Sequence, residues 1–185
     1  MCYKDVALSF VIDSSSFVGT SGFIKTKEFI KTIVPYYNFE QSQFSVIDFS
    51  DVASISIPFT RSSGKTLIEF LALINQINYR GGKIVRTSEG LSLALSELQR
   101  ISKPAEFVIL VTASDSNENE KTNTLTMKRR LEQNGAKVLI VGVGDSIDST
   151  HLRQLASDGK IYRPESFDHL IGSVEALRQD ICKRT

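Results

Sequence analysis

The chain carries almost no net charge. Its 22 Lys and Arg residues face 21 Asp and Glu, a formal +1 over 185 residues. Such a balance gives no electrostatic case for nucleic acid or for a membrane surface. No apolar run approaches the roughly 18 residues that mark a membrane span, so membrane insertion is not expected. No secretory leader is visible, and Met1 stands directly before Cys2 and a strand-like segment, as it would where a start replaces a leader. Asn-x-Ser/Thr glycosylation sequons are absent as well.

Catalytic groupings are also missing. His151 and His169 are the two histidines. Both fall on helical segments with no cysteine or second histidine close by, which reads as a solvated helix position. There is no Gly-x-Ser-x-Gly elbow, and Ser14, Ser15 and Ser16 have no evident base to activate them. Gly64-Lys65-Thr66 imitates the end of a phosphate-binding loop, but Phe59 stands where that loop needs glycine. Gly142-x-Gly144 lacks the third glycine of a dinucleotide fingerprint. The expectation is a protein that is not an enzyme.

Cysteine is scarce, and the two present sit at opposite ends, Cys2 and Cys182. Two free thiols would suit an intracellular chain. A disulfide tying the termini together is the sharper reading, because domain termini often lie close in space. The chain-entropy account allows about 5 kcal/mol for so long a loop, as an upper figure. A stable disulfide implies an oxidising compartment. The division that follows is a tail over 1–4 with Cys2, one domain over 5–181, and a tail over 182–185 with Cys182.

What is present is a globular composition, 41% apolar and 23% charged, in a chain long enough for one substantial core. Val6 to Ile12 is a nearly continuous apolar run ending in Asp13-Ser14-Ser15-Ser16, as buried parallel strands do. Phe23, Ile24, Phe29, Ile30, Ile33 and Val34 recur at helical spacing, and Pro35 stands where that helix should stop. Phe44 to Phe49, then Ala53 to Ile57 in period two, read as a hairpin that places an antiparallel edge strand on the sheet. Pro58 suits the end of such an edge.

Leu67, Phe70, Leu71 and Ile74 predict a second helix, and Thr87 opens a third through Leu98. Thr20-Ser21-Gly22 and Arg61 to Gly64 read as loops. Phe107 to Val111 and Lys137 to Gly144 predict further buried strands, separated by a helix with Met127 and Leu131 that Asn134-Gly135 ends. A short helix around Leu152 and Leu155, a short strand at Ile161-Tyr162 and a last helix from Phe167 to Ile181 complete the chain. The fold class is α/β: a doubly wound, mostly parallel sheet with one antiparallel edge strand and helices on both faces.

Ligands of such sheets gather at the carboxyl ends of the strands. Here those ends carry Asp13 to Ser16, the turn before Thr87, and Ala113 to Asp115. A carboxylate with hydroxyls offers hard oxygen ligands suited to Mg²⁺ or Mn²⁺. The same residues also cap helices and stabilise turns. Arg80, Lys83 and Arg86 would flank this face, disfavouring a cation or attracting an acidic ligand. Phe17 beside them would supply a partly exposed aromatic, and aromatics with arginine are the composition of interface hot spots. Lys121, Lys128, Arg129 and Arg130 read as a solvated helix face.

Val11-Ile12-Asp13-Ser14-Ser15 through Phe29, Arg80-Gly81-Gly82 with Thr87 and Gly90-Leu91, Val108 to Thr112, Val138 to Asp145, and Phe167 to Leu170 occur in an order and spacing that resemble von Willebrand factor type A domains over roughly residues 5 to 181. The resemblance implies a metal-ion-dependent adhesion site with the pattern Asp-x-Ser-x-Ser, a Thr and an Asp on three loops. Asp13, Ser15 and Thr87 match three of those positions. Phe17 stands at the second Ser and Ala113 at the last Asp, and neither can bind a metal through its side chain. Asp115 is a candidate substitute. Without a metal, Asp13, Ser15 and Thr87 would hydrogen-bond one another and hold the loops.

The resemblance further implies an extracellular matrix or adhesion module, secreted and one part of a larger multidomain protein. Its expected partner is collagen, another matrix protein or another adhesion protein. Contact would run through Phe17, Ser16, Arg86 and Lys83, largely without metal. The alternatives are a metal-dependent adhesion receptor, in which Mg²⁺ or Mn²⁺ at Asp13, Ser15 and Thr87 takes a ligand carboxylate, and an intracellular scaffold of the same fold.

Overall fold

The computed structural model describes residues 5–184. Six strands, β1 (Val6–Asp13), β2 (Gln43–Phe49), β3 (Ala53–Ile57), β4 (Ala105–Thr112), β5 (Lys137–Gly142) and β6 (Ile161–Tyr162), form one sheet in the order β3-β2-β1-β4-β5-β6. Every pairing is parallel except β2 with β3, which is the expected antiparallel edge. The winding direction reverses between β1 and β4, and this is where a doubly wound sheet opens a crevice.

β1 is buried over all eight of its residues, which explains its nearly continuous apolar sequence: helices cover both faces. Val6, Leu8, Phe10 and Ile12 join one core with α1 (Gly19–Ile33), α3 (Leu67–Asn75) and α7 (Val174–Arg184). Ala7 and Val11 join the opposite core with α4 (Thr87–Leu98), α5 (Glu118–Gln133) and α6 (Ser149–Leu155). Each fully buried Leu, Ile or Phe contributes about 1.5–3 kcal/mol. The two polar residues interrupting this pattern pair with each other: Ser45 Oγ donates to Ser9 Oγ at 2.9 Å across the β1–β2 register.

Local signals place the helices. Thr66 and Glu69 close a reciprocal capping box at the start of α3. Asn117 caps α5 through Glu120 N–H, and Asp148 caps α6 through Thr150 and His151 N–H. α1 stops at Ile33, where Pro35 falls within a 3-10 turn, Val34–Tyr36.

Four expectations differ from the structure. Thr20-Ser21-Gly22, expected as loop, form the first turn of α1 (Gly19–Ile33). Residues 61–64 were expected as loop, yet Arg61 and Ser62 close a short helix α2 (Phe59–Ser62), whose first residue, Phe59, is buried and donates its N–H to the buried Glu97 carboxylate at 2.8 Å. The last helix is regular only from Val174; Phe167–Ser173 is 3-10. That stretch is drawn onto α1 by Phe167, whose ring packs so close to Gly22 that a Cβ there would lie 2.8 Å from it. His151 is not a solvated residue. It is buried, with Nε2 3.3 Å from Thr124 Oγ1. Burial, seconded by the Lys121 charge, lowers its pKa against the opposing pull of Asp148, Asp115 and Glu118.

Cys182 lies half-buried in α7 against the first core and is not a free thiol. Its expected partner, Cys2, lies outside the described residues, as does the rest of the 1–4 tail. Among the described residues no helix is long and apolar enough to cross a membrane.

Candidate functional site

The crevice between β1 and β4 holds a compact polar cluster. Asp13 ends β1 and is buried. Its Oδ1 accepts from Ser15 N–H at 2.9 Å. Its Oδ2 accepts from Thr112 Oγ1 at 3.0 Å and from Ser114 Oγ at 2.6 Å. Ser15 Oγ and Ser114 Oγ lie 3.1 Å apart. Donors from the first and third loops thus converge on one carboxylate, which has about four acceptor positions in all.

The first loop is further tied to the end of β2 and to the segment before α4. Ser14 N–H donates to Phe49 O at 2.8 Å, Ser14 Oγ accepts from Arg80 N–H at 2.9 Å, and Ser16 N–H donates to Gly82 O at 2.7 Å. Gly81 N–H reaches Ser14 O at 2.9 Å from a positive φ of 71°, a conformation that favours glycine. Gly82 has no room for a side chain, since a Cβ would meet the Asp51 carboxyl at 2.6 Å. Asp51 in turn accepts from Ile84 N–H at 2.7 Å.

The predicted residues are distributed as follows. Asp13 and Ser15 come together in the cluster. Thr87 is buried as the first residue of α4, and among the described residues no hydrogen bond joins it to Asp13 or Ser15. Asp115 turns away, its Oδ1 accepting from Asp148 N–H at 2.8 Å at the start of α6. Phe17 is 64% exposed, and Ser16 and Lys83 are exposed. Arg86 pairs with Glu89 at 3.0 Å. Arg80 leaves the face altogether and pairs with the buried Asp48. Two exposed apolar residues join Phe17 on the rim, Val52 at 54% and Ile84 at 51%.

Ser114 was missed in the sequence. The family pattern directs attention to Ala113, whereas the group that reaches Asp13 comes one residue later. A signal was available: Thr112 and Ser114 are two apart, so they share a side of an extended chain.

A divalent ion fits this cluster poorly. Only one carboxylate is present, and among the described residues no three His, Cys, Asp or Glu side chains group as a metal centre. Both oxygens of Asp13 are occupied by the protein's own donors, and a neutral hydroxyl stands on the third loop. An ion bridging Asp13 and Ser15 would have to displace Ser114 and leave its own second charge uncompensated.

The architecture is thus an open doubly wound sheet with a polar cluster at its switch point. The chain belongs to the von Willebrand factor type A domain family, whose model matches residues 7–176. Proximal thread matrix protein 1 from the mussel byssus is similar in structure, with a TM-score of 0.88, 22% identity, and 98% of this chain against 47% of that one covered. A second structure of the mussel protein, described as having a zinc-occupied MIDAS motif, has a TM-score of 0.87 at 22% identity, covering 98% of this chain and 46% of that one. A von Willebrand factor type A protein from Catenulispora acidiphila follows with a TM-score of 0.80 and 12% identity, covering 95% and 42%. At these identities the likeness establishes the fold. This chain spans less than half the length of those proteins. No curated protein matches it.

Proposed function

We propose that this domain is a matrix or adhesion module that binds another protein through the top of its sheet without a metal bridge. The observation that carries the reading is the engagement of both Asp13 oxygens by Ser15, Thr112 and Ser114, next to a rim where Phe17, Val52 and Ile84 are exposed. Three such side chains on loops already hydrogen-bonded to one another form a pre-organised contact, which reduces the ordering cost of binding. Lys83, exposed and without an ion pair among the described residues, adds a positive charge. The partner is a segment of a matrix protein such as collagen, or of another adhesion protein, presenting apolar and acidic side chains. Secretion, a Cys2–Cys182 disulfide and a place within a larger multidomain protein belong to the same reading, as does the absence of catalysis. The mussel protein, a matrix protein of greater length, supports it by likeness.

The zinc-occupied motif of that protein favours a second reading, in which Mg²⁺, Mn²⁺ or Zn²⁺ at Asp13, Ser15 and Thr87 receives a ligand carboxylate. One binding experiment separates the two. Immobilised fibrillar collagen is presented with the chain in Mg²⁺ and in chelator, alongside Phe17→Ser and Ile84→Ser. Equal binding with and without chelator is expected. Phe17→Ser should weaken binding about 30-fold, as a hot-spot loss of about 2 kcal/mol requires. Loss of binding in chelator would overturn the metal-independent reading, and no binding in either condition would remove collagen as the partner. A thiol count in denaturant that finds two reactive cysteines would favour an intracellular scaffold instead.

A further inference from the structure

A second site lies away from the Asp13 cluster. Between the β2–β3 hairpin, α2 and the end of α3 is a cavity of about 370 Å³, within the size range of small-molecule sites. Its charged lining residues are Arg61, Arg80 and Asp48, so two arginines face one aspartate and the wall has one positive charge in excess. The carboxylate is closed to a ligand. Asp48 is 1% exposed, with Oδ1 accepting from Ser56 Oγ and Oδ2 in ion-pair contact with Arg80 Nε. What stays open is guanidinium: the Arg80 side chain is 33% exposed, and Arg61 is exposed with no ion pair among the described residues.

A guanidinium has five N–H donors. Arg80 directs one at Asp48, and among the described residues no hydrogen bond takes the other four. Its backbone is anchored as well, because Arg80 N–H donates to Ser14 Oγ and Gly81 N–H to Ser14 O, each at 2.9 Å. A cation fixed at both ends loses little freedom when it binds. Gln76 and Asn78 add amide donors. This set selects by charge. A cation meets two guanidinium groups and no open carboxylate. A neutral molecule offers these donors no more than water does, whereas an oxyanion forms charge-assisted bonds to them. A doubly charged phosphate exceeds the single excess charge. Any bare inorganic anion leaves the apolar side of the cavity, Ile57, Leu73 and Ile77, uncovered. One negative charge shared by two or three oxygens, on a body with an apolar flank, matches both parts.

We infer that this cavity binds a small organic molecule bearing one singly charged oxyanion group, a carboxylate or a sulfate ester, through Arg61 and Arg80. The site does not depend on the reading of the top face, since it shares no residue with the Phe17 rim.

The test is an amide-shift titration of the full chain by NMR, with benzoate and phenyl sulfate as probes of the two groups. Benzamide keeps the shape of benzoate without its charge, benzylamine reverses the charge, and acetate and inorganic phosphate lack the apolar body. At least one probe should give saturable shifts at Ser56, Gln76, Asn78 and Arg80 in the millimolar range, and the tighter of the two identifies the group. Benzamide, benzylamine, acetate and phosphate should bind at least tenfold more weakly. Arg61→Gln, at an exposed position, should weaken the tighter probe about tenfold without moving the melting temperature, and Phe17→Ser should leave it unchanged. Absence of saturable shifts at these residues with both probes would overturn the inference. So would equal binding of benzamide or phosphate, or full affinity in Arg61→Gln.

Discussion

Replacing Asp13 by alanine separates a structural carboxylate from a waiting metal ligand by the sign of the effect on stability. Asp13 is buried and accepts three hydrogen bonds. Bonds to a charged group are worth about 1.5–3 kcal/mol each. Two of the three donors have another acceptor within reach: Thr112 Oγ1 lies 3.4 Å from Ser114 O, and Ser114 Oγ lies 3.1 Å from Ser15 Oγ. The Ser15 N–H has none, so the net cost of Asp13→Ala is about 2–4 kcal/mol. For a domain of this size each kcal/mol lowers Tm by about 2–4 °C, giving a fall of about 4–16 °C. The assay is thermal and urea unfolding in chelator, with Asp13→Asn as the shape-preserving control and a smaller expected loss. A carboxylate held ready for a missing cation would instead be neutral or relieved when removed in chelator. If Asp13→Ala melts at or above the wild-type temperature under these conditions, the argument that the cluster is satisfied by its own donors fails.

Two further outcomes follow from buried polar groups. Glu97→Ala should cost about 1–3 kcal/mol by urea unfolding because it orphans the Phe59 N–H, and Glu97→Gln, which keeps an acceptor, should cost less. The folded-state pKa of His151 lies below its ordinary value of about 6.5, so the unfolded chain takes up that proton first as pH falls. Its contribution is therefore intact above about pH 6.5 and declines as pH drops toward the lowered value. Urea midpoints at about pH 7.5 and about pH 5.5 should differ more for the wild type than for His151→Gln, and equal differences would contradict the assignment.

The fold was largely legible because its signals are local. β1 and β4 show as nearly continuous apolar runs, β3 as a period-two edge bounded by Pro58, α3 as apolar residues at helical spacing, and α5 as a segment that Asn134-Gly135 ends. The departures arise where a distant residue decides. α2 opens at Phe59, whose N–H is received by Glu97, 38 positions away. The 3-10 turns before α7 follow from Phe167 packing over Gly22. His151 looks like a surface residue until Thr124 of α5 is laid over it.

The site divided along the same line. Asp13 and Ser15 are neighbours in sequence and were found together, whereas the bond from Ser114 to Asp13 spans 101 residues. Arg80 was expected on the top face with Lys83 and Arg86, and nothing local announces its pairing with Asp48 in the neighbouring cavity. A pattern of residue types fixes which loops meet in such a sheet, but not which hydroxyl arrives first at a buried carboxylate.

The central claim is that the cluster around Asp13 is complete without a cation. Calorimetric titration of Mg²⁺, Mn²⁺ and Zn²⁺ into chelator-stripped protein, with Asp13→Ala as the reference, tests it most directly. The account predicts no saturable heat up to millimolar concentration that distinguishes the two proteins. Saturable binding at or below millimolar concentration in the wild type, lost in Asp13→Ala, would contradict it.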